Sequence, residues 1–415
     1  MTRSETKPNA AFAAVTLAYW SFMLTDGALR MLVLLHFHRL GYSAIELASL
    51  FILYEIAGVV TNLYAGWIAA RFGLASTLFA GLGLQVVALV GLGIFAGQEA
   101  AMSMVVFVIV IQGLSGVAKD LTKMSSKSAV KFFAKDSEGT LFRWVSFLTG
   151  SKNAIKGLGF FVGAALLAVF DFAPTVYVLA AVLLTILVAL AVLLPKGLPT
   201  GSKSAKFSQV FSRDARVNWL SFARVFLFGA RDVWFVVALP VFLYTSLEEF
   251  GQTEATPFFV VGTFMAVWIL VYGAVQARTP HLLGMNESDQ SHVSPMANWW
   301  AKVLFAVTIS LAICVSFVPM SLILVGVVCL GLFGFGAVFA INSSLHSYLI
   351  VSFSDADRVT RDVGFYYMAN AAGRLIGTIL SGVMFQIGGL AACLWTASIM
   401  IALSAFGASK LSSLR

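Results

Sequence analysis

Apolar residues run along this chain in long blocks, with no strict alternation. A helix needs about 20 mostly apolar residues, at about 1.5 Å each, to cross the hydrocarbon of a bilayer. Twelve such blocks occur, at about 11–35, 44–70, 74–97, 100–121, 141–170, 174–195, 218–245, 257–277, 298–318, 321–350, 363–387 and 389–409. Gly and Ser are scattered through them and no two-residue period appears, so the pattern predicts transmembrane helices and not a β-barrel. The polar start MTRSETKPNA leads into an apolar run too long for a signal-peptide core, which reads as a retained first span. The one sizeable interruption, KGLPTGSKSAKFSQVFSRDARV at 196–217, is basic and contains Gly, Pro and Ser. It divides the chain into a six-helix bundle at 1–195 and a second at 218–415, joined by a cytoplasmic central loop.

Composition narrows the class. Of 415 residues, 60% are hydrophobic and 11% charged, and mean hydropathy is +0.91. Soluble domains carry about 25% charged residues, so a water-soluble enzyme, a coiled coil and a disordered chain are all excluded. Lys and Arg number 27 against 19 Asp and Glu, a formal charge of +8. With both termini placed in the cytoplasm, 20 of the 27 bases fall on that side, Arg39 alone falls outside, and six lie within spans. This is the positive-inside pattern. The outer loop 246–256 carries Glu248, Glu249 and Glu254 and no base. The basic excess is thus a topology signal and implies no nucleic-acid partner.

The two halves share short motifs. Gly27-Ala28 ahead of Arg30 matches Gly229-Ala230 ahead of Arg231, 202 residues on. Asn153-Ala154 ahead of Lys156 matches Asn370-Ala371 ahead of Arg374, 217 residues on. Parallel six-helix repeats with substrate at their interface resemble the plan of the major facilitator superfamily. The expected fold class is therefore an all-α membrane protein of twelve transmembrane helices in two parallel six-helix repeats. GWIAARFG at 66–73 keeps Gly66, Arg71 and Gly73 of that superfamily's loop pattern, but Ala70 stands where its acid belongs.

A charge at the centre of a bilayer costs about 3 kcal/mol or more, so it faces a cavity or a partner. Lys156, Arg231 and Arg374 fall near the midpoints of spans 5, 7 and 11, and Asp26 near that of span 1, with Arg30 one turn outward. The six buried bases are Arg30, Lys152, Lys156, Arg224, Arg231 and Arg374; the acids are Asp26, Glu55 and Asp232, which leaves the interior near +3. An anionic ligand would supply the missing charge. Arg forks and Lys point charges suit phosphate-type oxyanions, so a small, multiply anionic substrate is expected.

Structural readings stand beside this one. Asp26 and Arg30, at i and i+4, can pair with each other. Arg231 and Asp232 are adjacent and point apart, so Asp232 is expected to pair with another helix. Arg224 lies about five residues into span 7 and can snorkel to the cytoplasmic face. Arg374, between Gly373 and Gly377, can staple two helices. Lys119, Lys123, Lys127 and Lys131 recur every four residues and read either as a solvated basic face or as a guide for an anion.

Gly159 and Gly163, Gly373 and Gly377, and Gly331, Gly334 and Gly336 read as close helix packing. Cys314, Cys329 and Cys393 suggest neither a disulfide nor a metal cage, and His36 and His38 lack a third ligand, so no cofactor is expected. GxxxxGK[ST], HExxH and GxSxG motifs are all missing. The expectation is a secondary transporter working by alternating access, not an enzyme.

LTDGALRMLVLLHFHRLGYS (24–43), AKDLTKMSSKSAVK (118–131), LTGSKNAIKGLGFF (148–161) and LFGARDVWFVVALPVFL (227–243) resemble the organoarsenical efflux permeases of the ArsJ type, within the major facilitator superfamily. The likeness runs over most of the chain. It implies an inner-membrane exporter of 1-arseno-3-phosphoglycerate that confers arsenate resistance, functionally linked to the glyceraldehyde-3-phosphate dehydrogenase that makes this ester. It also implies a site in the matching blocks: Arg30, Lys119, Lys123, Lys152, Asn153, Lys156 and Arg231 for substrate, with Asp26 and Asp232 for proton coupling or charge pairing. Asn370 and Arg374 join the substrate residues through the internal repeat, and Glu55 joins the acids through its depth. The alternative is an organic-phosphate or sugar-phosphate antiporter of the same fold. Either would act as a monomer in the bilayer, with both termini cytoplasmic.

Overall fold

The computed structural model describes residues 8–96, 102–133, 138–193, 212, 214–252, 255–284, 290–354 and 359–413, without the side chains of 127–150 and of some further helix positions. Most of the central loop 196–217, and the side chains of Lys127 and Lys131, lie outside the described residues.

Among the described residues, thirteen helices form in chain order: α1 (Pro8–Arg39), α2 (Ala44–Ser49), α3 (Ile52–Phe72), α4 (Leu74–Phe95), α5 (Met102–Phe133), α6 (Glu138–Val169), α7 (Phe172–Leu193), α8 (Ala215–Phe235), α9 (Ala238–Glu249), α10 (Ala255–Leu282), α11 (Gln290–Phe317), α12 (Leu322–Phe353) and α13 (Val359–Ser413). Ten stretches of them are long and apolar enough to cross a membrane. α1 is a further rod of 32 residues carrying Asp26 and Arg30. The last of the ten, Asp362–Leu411, is two rods, because Gly388 and Gly389 leave helical geometry inside α13. Gly389 has φ 61°, which costs glycine little and strains any other residue. Twelve membrane-length rods result. Their outward faces are apolar: Val192, Phe317 and Ile323 are 79–80% exposed, as a surface facing lipid requires.

Local chemistry sets the helix ends. Ser43 and Glu46 form a capping box at α2: the Glu46 carboxylate accepts from the Ser43 backbone N–H at 2.8 Å, and Ser43 Oγ accepts from the Glu46 N–H at 3.4 Å. Asp214 caps α8, accepting from the Arg216 N–H at 2.7 Å, and Ser321 caps α12.

Span 7 is not the continuous 218–245 helix expected. It breaks at Val236–Val237, between α8 and α9. Pro240 has no N–H for the Val236 carbonyl, and its ring crowds that carbonyl. Ser381 Oγ on α13 accepts the freed N–H groups of Val237 and Ala238, at 3.2 and 3.1 Å. The break lies five residues beyond Arg231, so the helix carrying the buried charges ends inside the bundle.

The same helix crossing is built in both halves. On α6, Gly159 and Gly163 lie against the Leu24 and Ala28 carbonyls of α1; on α13, Gly373 and Gly377 lie against the Val225 and Gly229 carbonyls of α8. These contacts align Gly159 with Gly373 and Gly163 with Gly377, 214 residues apart, and Leu24 with Val225, 201 apart. The registers of 217 and 202 read from the short motifs are therefore off by three residues and by one. Backbone contact through glycine fixes the register, and the paired Asn-Ala motifs do not take part in it. Lys156 stands level with Asn370, and Arg374 is not its mirror image.

A side chain at either crossing would meet backbone, which cannot move aside. Gly159→Leu and Gly373→Leu are each expected to cost about 1–3 kcal/mol or more, measured as a lower Tm in detergent. Gly334 breaks the close-packing expectation: a Cβ there meets nothing within 4 Å. Gly334→Leu is the control and should leave Tm unchanged.

The termini of α1 and α13 mark one end of the bundle, called here the terminal end; the turn at Gly41 and the Gly388–Gly389 break mark the distal end. The halves meet toward the distal end. α2 lies on α13 where a Cβ on Gly382 would stand 2.5 Å from Ala48 Cβ and 2.6 Å from the Ala44 carbonyl. Nearby, the rings of His38 and Tyr244 meet edge to face at 5.1 Å. α6 lies on α10, with Gly262 against Ala164 and Gly157 against the Ala266 carbonyl.

Candidate functional site

Between the halves is a cavity of about 400 Å³. It reaches from Arg30, Glu55 and Arg374 toward the terminal end, where Asn62, Lys123, Gln276, Ser347 and Tyr367 line it. Arg30, Lys119, Lys123, Lys152, Asn153, Lys156, Arg231, Asn370 and Arg374 all line it, as do Glu55 and Asp232. Asp26 sits behind the wall, 2% exposed.

The distal part of the cavity is a charge network that crosses the halves. One oxygen of Glu55 accepts from Arg30 at 2.9 Å and from Arg374 at 2.7 Å. Arg374 Nε lies 3.5 Å from Asp232 Oδ2, and Arg231 bonds Asp232 Oδ1 at 2.6 Å. Lys156 donates to Asp26 Oδ2 at 2.6 Å, and the Tyr54 hydroxyl donates to Asp26 Oδ1 at 2.7 Å.

These partners correct several readings. Asp26 and Arg30 do not pair on α1; Asp26 turns to α6, where Lys156 needs a counter-charge, and Arg30 turns to α3, where it shares Glu55 with Arg374. Arg231 and Asp232 do pair, since the long Arg side chain folds back over the faces of Phe228 and Phe339, at 4.9 and 5.4 Å. Asp232 also meets another helix, through Arg374.

Arg224 does not snorkel. It is 5% exposed and turned inward, donating from Nε to Asn370 Oδ1 at 3.1 Å and from Nη1 to the Ser343 carbonyl and hydroxyl, each at 3.2 Å. Its guanidinium lies 4.0 Å from the Phe228 ring centroid and 4.9 Å from that of Tyr366. Sequence reasoning left it out of the site. A signal was present: Arg224, Phe228, Arg231 and Phe235 follow i, i+4, i+7, i+11, one helix face of alternating cation and aromatic.

Lys119 and Lys123 are not a solvated basic face. Lys119 is 7% exposed, with Nζ 4.1 Å from the Tyr54 ring centroid. Lys123 donates to Asn62 Oδ1 at 2.9 Å and lies 3.5 Å from Asp120 Oδ1. Asp120, also unassigned from sequence, accepts from Thr61 Oγ1 at 2.5 Å.

The cavity wall thus carries eight bases and three acids, Glu55, Asp120 and Asp232, with Asp26 behind it. The formal excess is four, against about three expected, because Lys119 and Lys123 join the interior and bring only one further acid. The cysteines do not line the cavity, and no cluster of three His, Cys, Asp or Glu able to hold a metal occurs among the described residues.

A family model described as Major Facilitator Superfamily matches residues 11–350. No curated protein matches the chain in sequence. Among solved structures, a bacterial homologue of the iron transporter ferroportin in an inward-facing state superposes with a TM-score of 0.72 at 14% identity, covering 99% of this chain and 100% of that one. A point mutant of the nucleoside transporter NupG superposes with a TM-score of 0.69 at 15% identity, covering 98% and 100%. At such identities the likeness is one of fold.

Proposed function

This chain belongs to the Major Facilitator Superfamily, and from that membership and the charge of its cavity we propose that it is a secondary transporter exporting a small, multiply anionic organic ester. One observation carries the reading: a cavity of about 400 Å³, large enough for a small metabolite, is lined by eight bases and three acids. A cation or a neutral nucleoside would leave that excess unbalanced.

The finer identity, an arsenylated phosphoglycerate, rests on the sequence resemblance and agrees with the chemistry of the wall. Pentavalent arsenic in an ester is a phosphate-like oxyanion that calls for Arg and Lys, whereas trivalent arsenic calls for clustered thiolates, and no cysteine is at the cavity. The distribution of bases along the chain supports a cytoplasmic terminal end in the inner membrane, so the cavity is loaded from inside. The halves, 1–195 and 218–415 joined by the loop 196–217, rock about it in a monomer. Asp26, Glu55 and Asp232 act as charge partners of Lys156, Arg30, Arg374 and Arg231.

The test is uptake of radiolabelled arsenate into everted vesicles. Accumulation is expected only with purified glyceraldehyde-3-phosphate dehydrogenase, its triose phosphate and NAD. Uptake of bare arsenate would sink the substrate assignment. Equal competition by unmodified 3-phosphoglycerate, with counterflow, would move the assignment to an organic-phosphate antiporter, a reading also compatible with a wall that cannot tell arsenate from phosphate by charge.

A further inference from the structure

Six of the eight cations of the cavity fall into two groups. Arg30, Lys156, Arg231 and Arg374 each touch a carboxylate within 3 Å. Four bases share three carboxylates, Glu55, Asp232 and Asp26, so most of their charge is already met within the protein. Arg224 and Lys119 are different. Both are at least nine-tenths buried, and neither makes an ion pair within 4 Å among the described residues, although Asp120, Glu55 and Asp26 stand farther off within electrostatic reach of Lys119. Arg224 is held by the neutral acceptors of Asn370 and Ser343 and by two aromatic faces, and Lys119 by the face of Tyr54.

An aromatic face and an amide oxygen orient a cation without cancelling its charge. A buried cation left in that condition is costly unless something else brings the counter-charge. The two also stand in different halves. Arg224 is two turns of α8, about 10 Å, on the terminal side of Arg231. Lys119 lies beside Gly58, where its Nζ would be 3.7 Å from an added Cβ, about one turn of α3 on the terminal side of Glu55. Both therefore face the cavity just below the paired network, one from each wall.

We propose that Arg224 and Lys119 are the two poles of the substrate site, so that the substrate class is a short molecule with an anionic group at each end, one end taken by each half of the protein. This rests on the anion-transport reading above and sharpens it. It also gives binding a mechanical consequence. Empty, the two poles are like charges in facing walls. A ligand reaching both ties the walls together on the terminal side, which is the closure that alternating access requires. A ligand with one anionic group can satisfy one pole and cannot tie them. Closure then depends on the length and the second charge of the cargo, and not on affinity alone.

Binding to the purified full-length chain in nanodiscs tests this with two probes, 3-phosphoglycerate, charged at both ends, and glycerol 3-phosphate, charged at one. The unaltered protein is expected to prefer the two-ended probe by about tenfold or more. Arg224→Gln and Lys119→Gln should each abolish that preference, weakening the two-ended probe while changing the one-ended probe by less than about threefold. Arg224→Lys, which keeps the charge without the fork, should retain part of the preference and serves if the Gln variant fails to fold.

Loss of both probes by equal factors in a well-folded variant would make these residues structural and overturn the proposal. Binding of both probes to the unaltered protein without preference would overturn the two poles and leave the anion reading standing. Failure to bind either probe while arsenylated-ester uptake persists in vesicles would overturn the two poles alone; failure of both binding and uptake would overturn the anion reading as well.

Discussion

Glu55→Gln is expected to lower stability by about 3–5 kcal/mol and to loosen the distal closure of the protein. Glu55 is 1% exposed, and one of its oxygens takes both Arg30 and Arg374. An amide oxygen in its place can still accept from both guanidiniums, but it brings no counter-charge, and an NH2 donor replaces the second carboxylate oxygen among the cations. Arg374 would keep a counter-charge through its 3.5 Å approach to Asp232, but Arg30 would lose its carboxylate and keep, besides the neutral amide oxygen, the faces of Phe51 and Tyr54. Two buried guanidinium groups would then stand within reach of one another without their shared anion.

The Glu55–Arg374 pair joins α3 of the first half to α13 of the second, on the same helix that packs Gly382 against α2. Stability lost there is therefore lost from the contact between halves. Two measurements check this. Tm should fall, and an impermeant maleimide added at the distal side should label Ala48→Cys in the Glu55→Gln background but not in its absence, with the products resolved from Cys314, Cys329 and Cys393 by peptide mapping. Unchanged labelling together with an unchanged Tm would mean that the bridge does not hold the halves together.

What the sequence could reveal about this network follows from what a helix transmits. Position along a span gives depth, so Arg30, Glu55, Lys156, Arg231 and Arg374 were all placed near the right level. Partners depend on which helices are neighbours and on how each is rotated about its axis, and one sequence does not state either. Asp26 and Arg30 share a face of α1 and still choose partners on different helices, α6 and α3.

The fold was legible because hydropathy fixes the number of spans and glycine fixes the crossings. The repeat register was not, because a two-residue motif such as Asn-Ala carries less information than the Gly159–Gly163 and Gly373–Gly377 contacts. Arg224 was missed through its distance from the start of the span. That distance suggests a snorkelling route to water, and it contains no sign that Asn370 and Ser343 wait on the inner side. Lys119 and Lys123 were counted with the topology signal for the same reason: a base near a span end reads as cytoplasmic until the neighbouring helix is known to wall it in.

The second large effect concerns Lys156, which depth and the family resemblance both assign to the substrate. Its ammonium lies 2.6 Å from an Asp26 carboxylate that is 1% exposed in its side chain, and the other bond to that carboxylate comes from Tyr54. Lys156→Gln is expected to cost about 3–5 kcal/mol, mostly as the penalty of a buried, half-satisfied carboxylate. If that is the origin, removing the charge of the partner should repair the damage. Asp26→Asn together with Lys156→Gln is expected to return to within about 1 kcal/mol of the unaltered stability and to recover transport at reduced affinity, since the Lys156 side chain keeps 18% of its surface toward the cavity. A thermodynamic cycle over the two positions, read by Tm and by initial transport rate, separates the possibilities. Additive losses in stability would show that the pair is not coupled. Restored stability without restored transport would make Lys156 a ligand contact in its own right and add a third pole to the pair formed by Arg224 and Lys119.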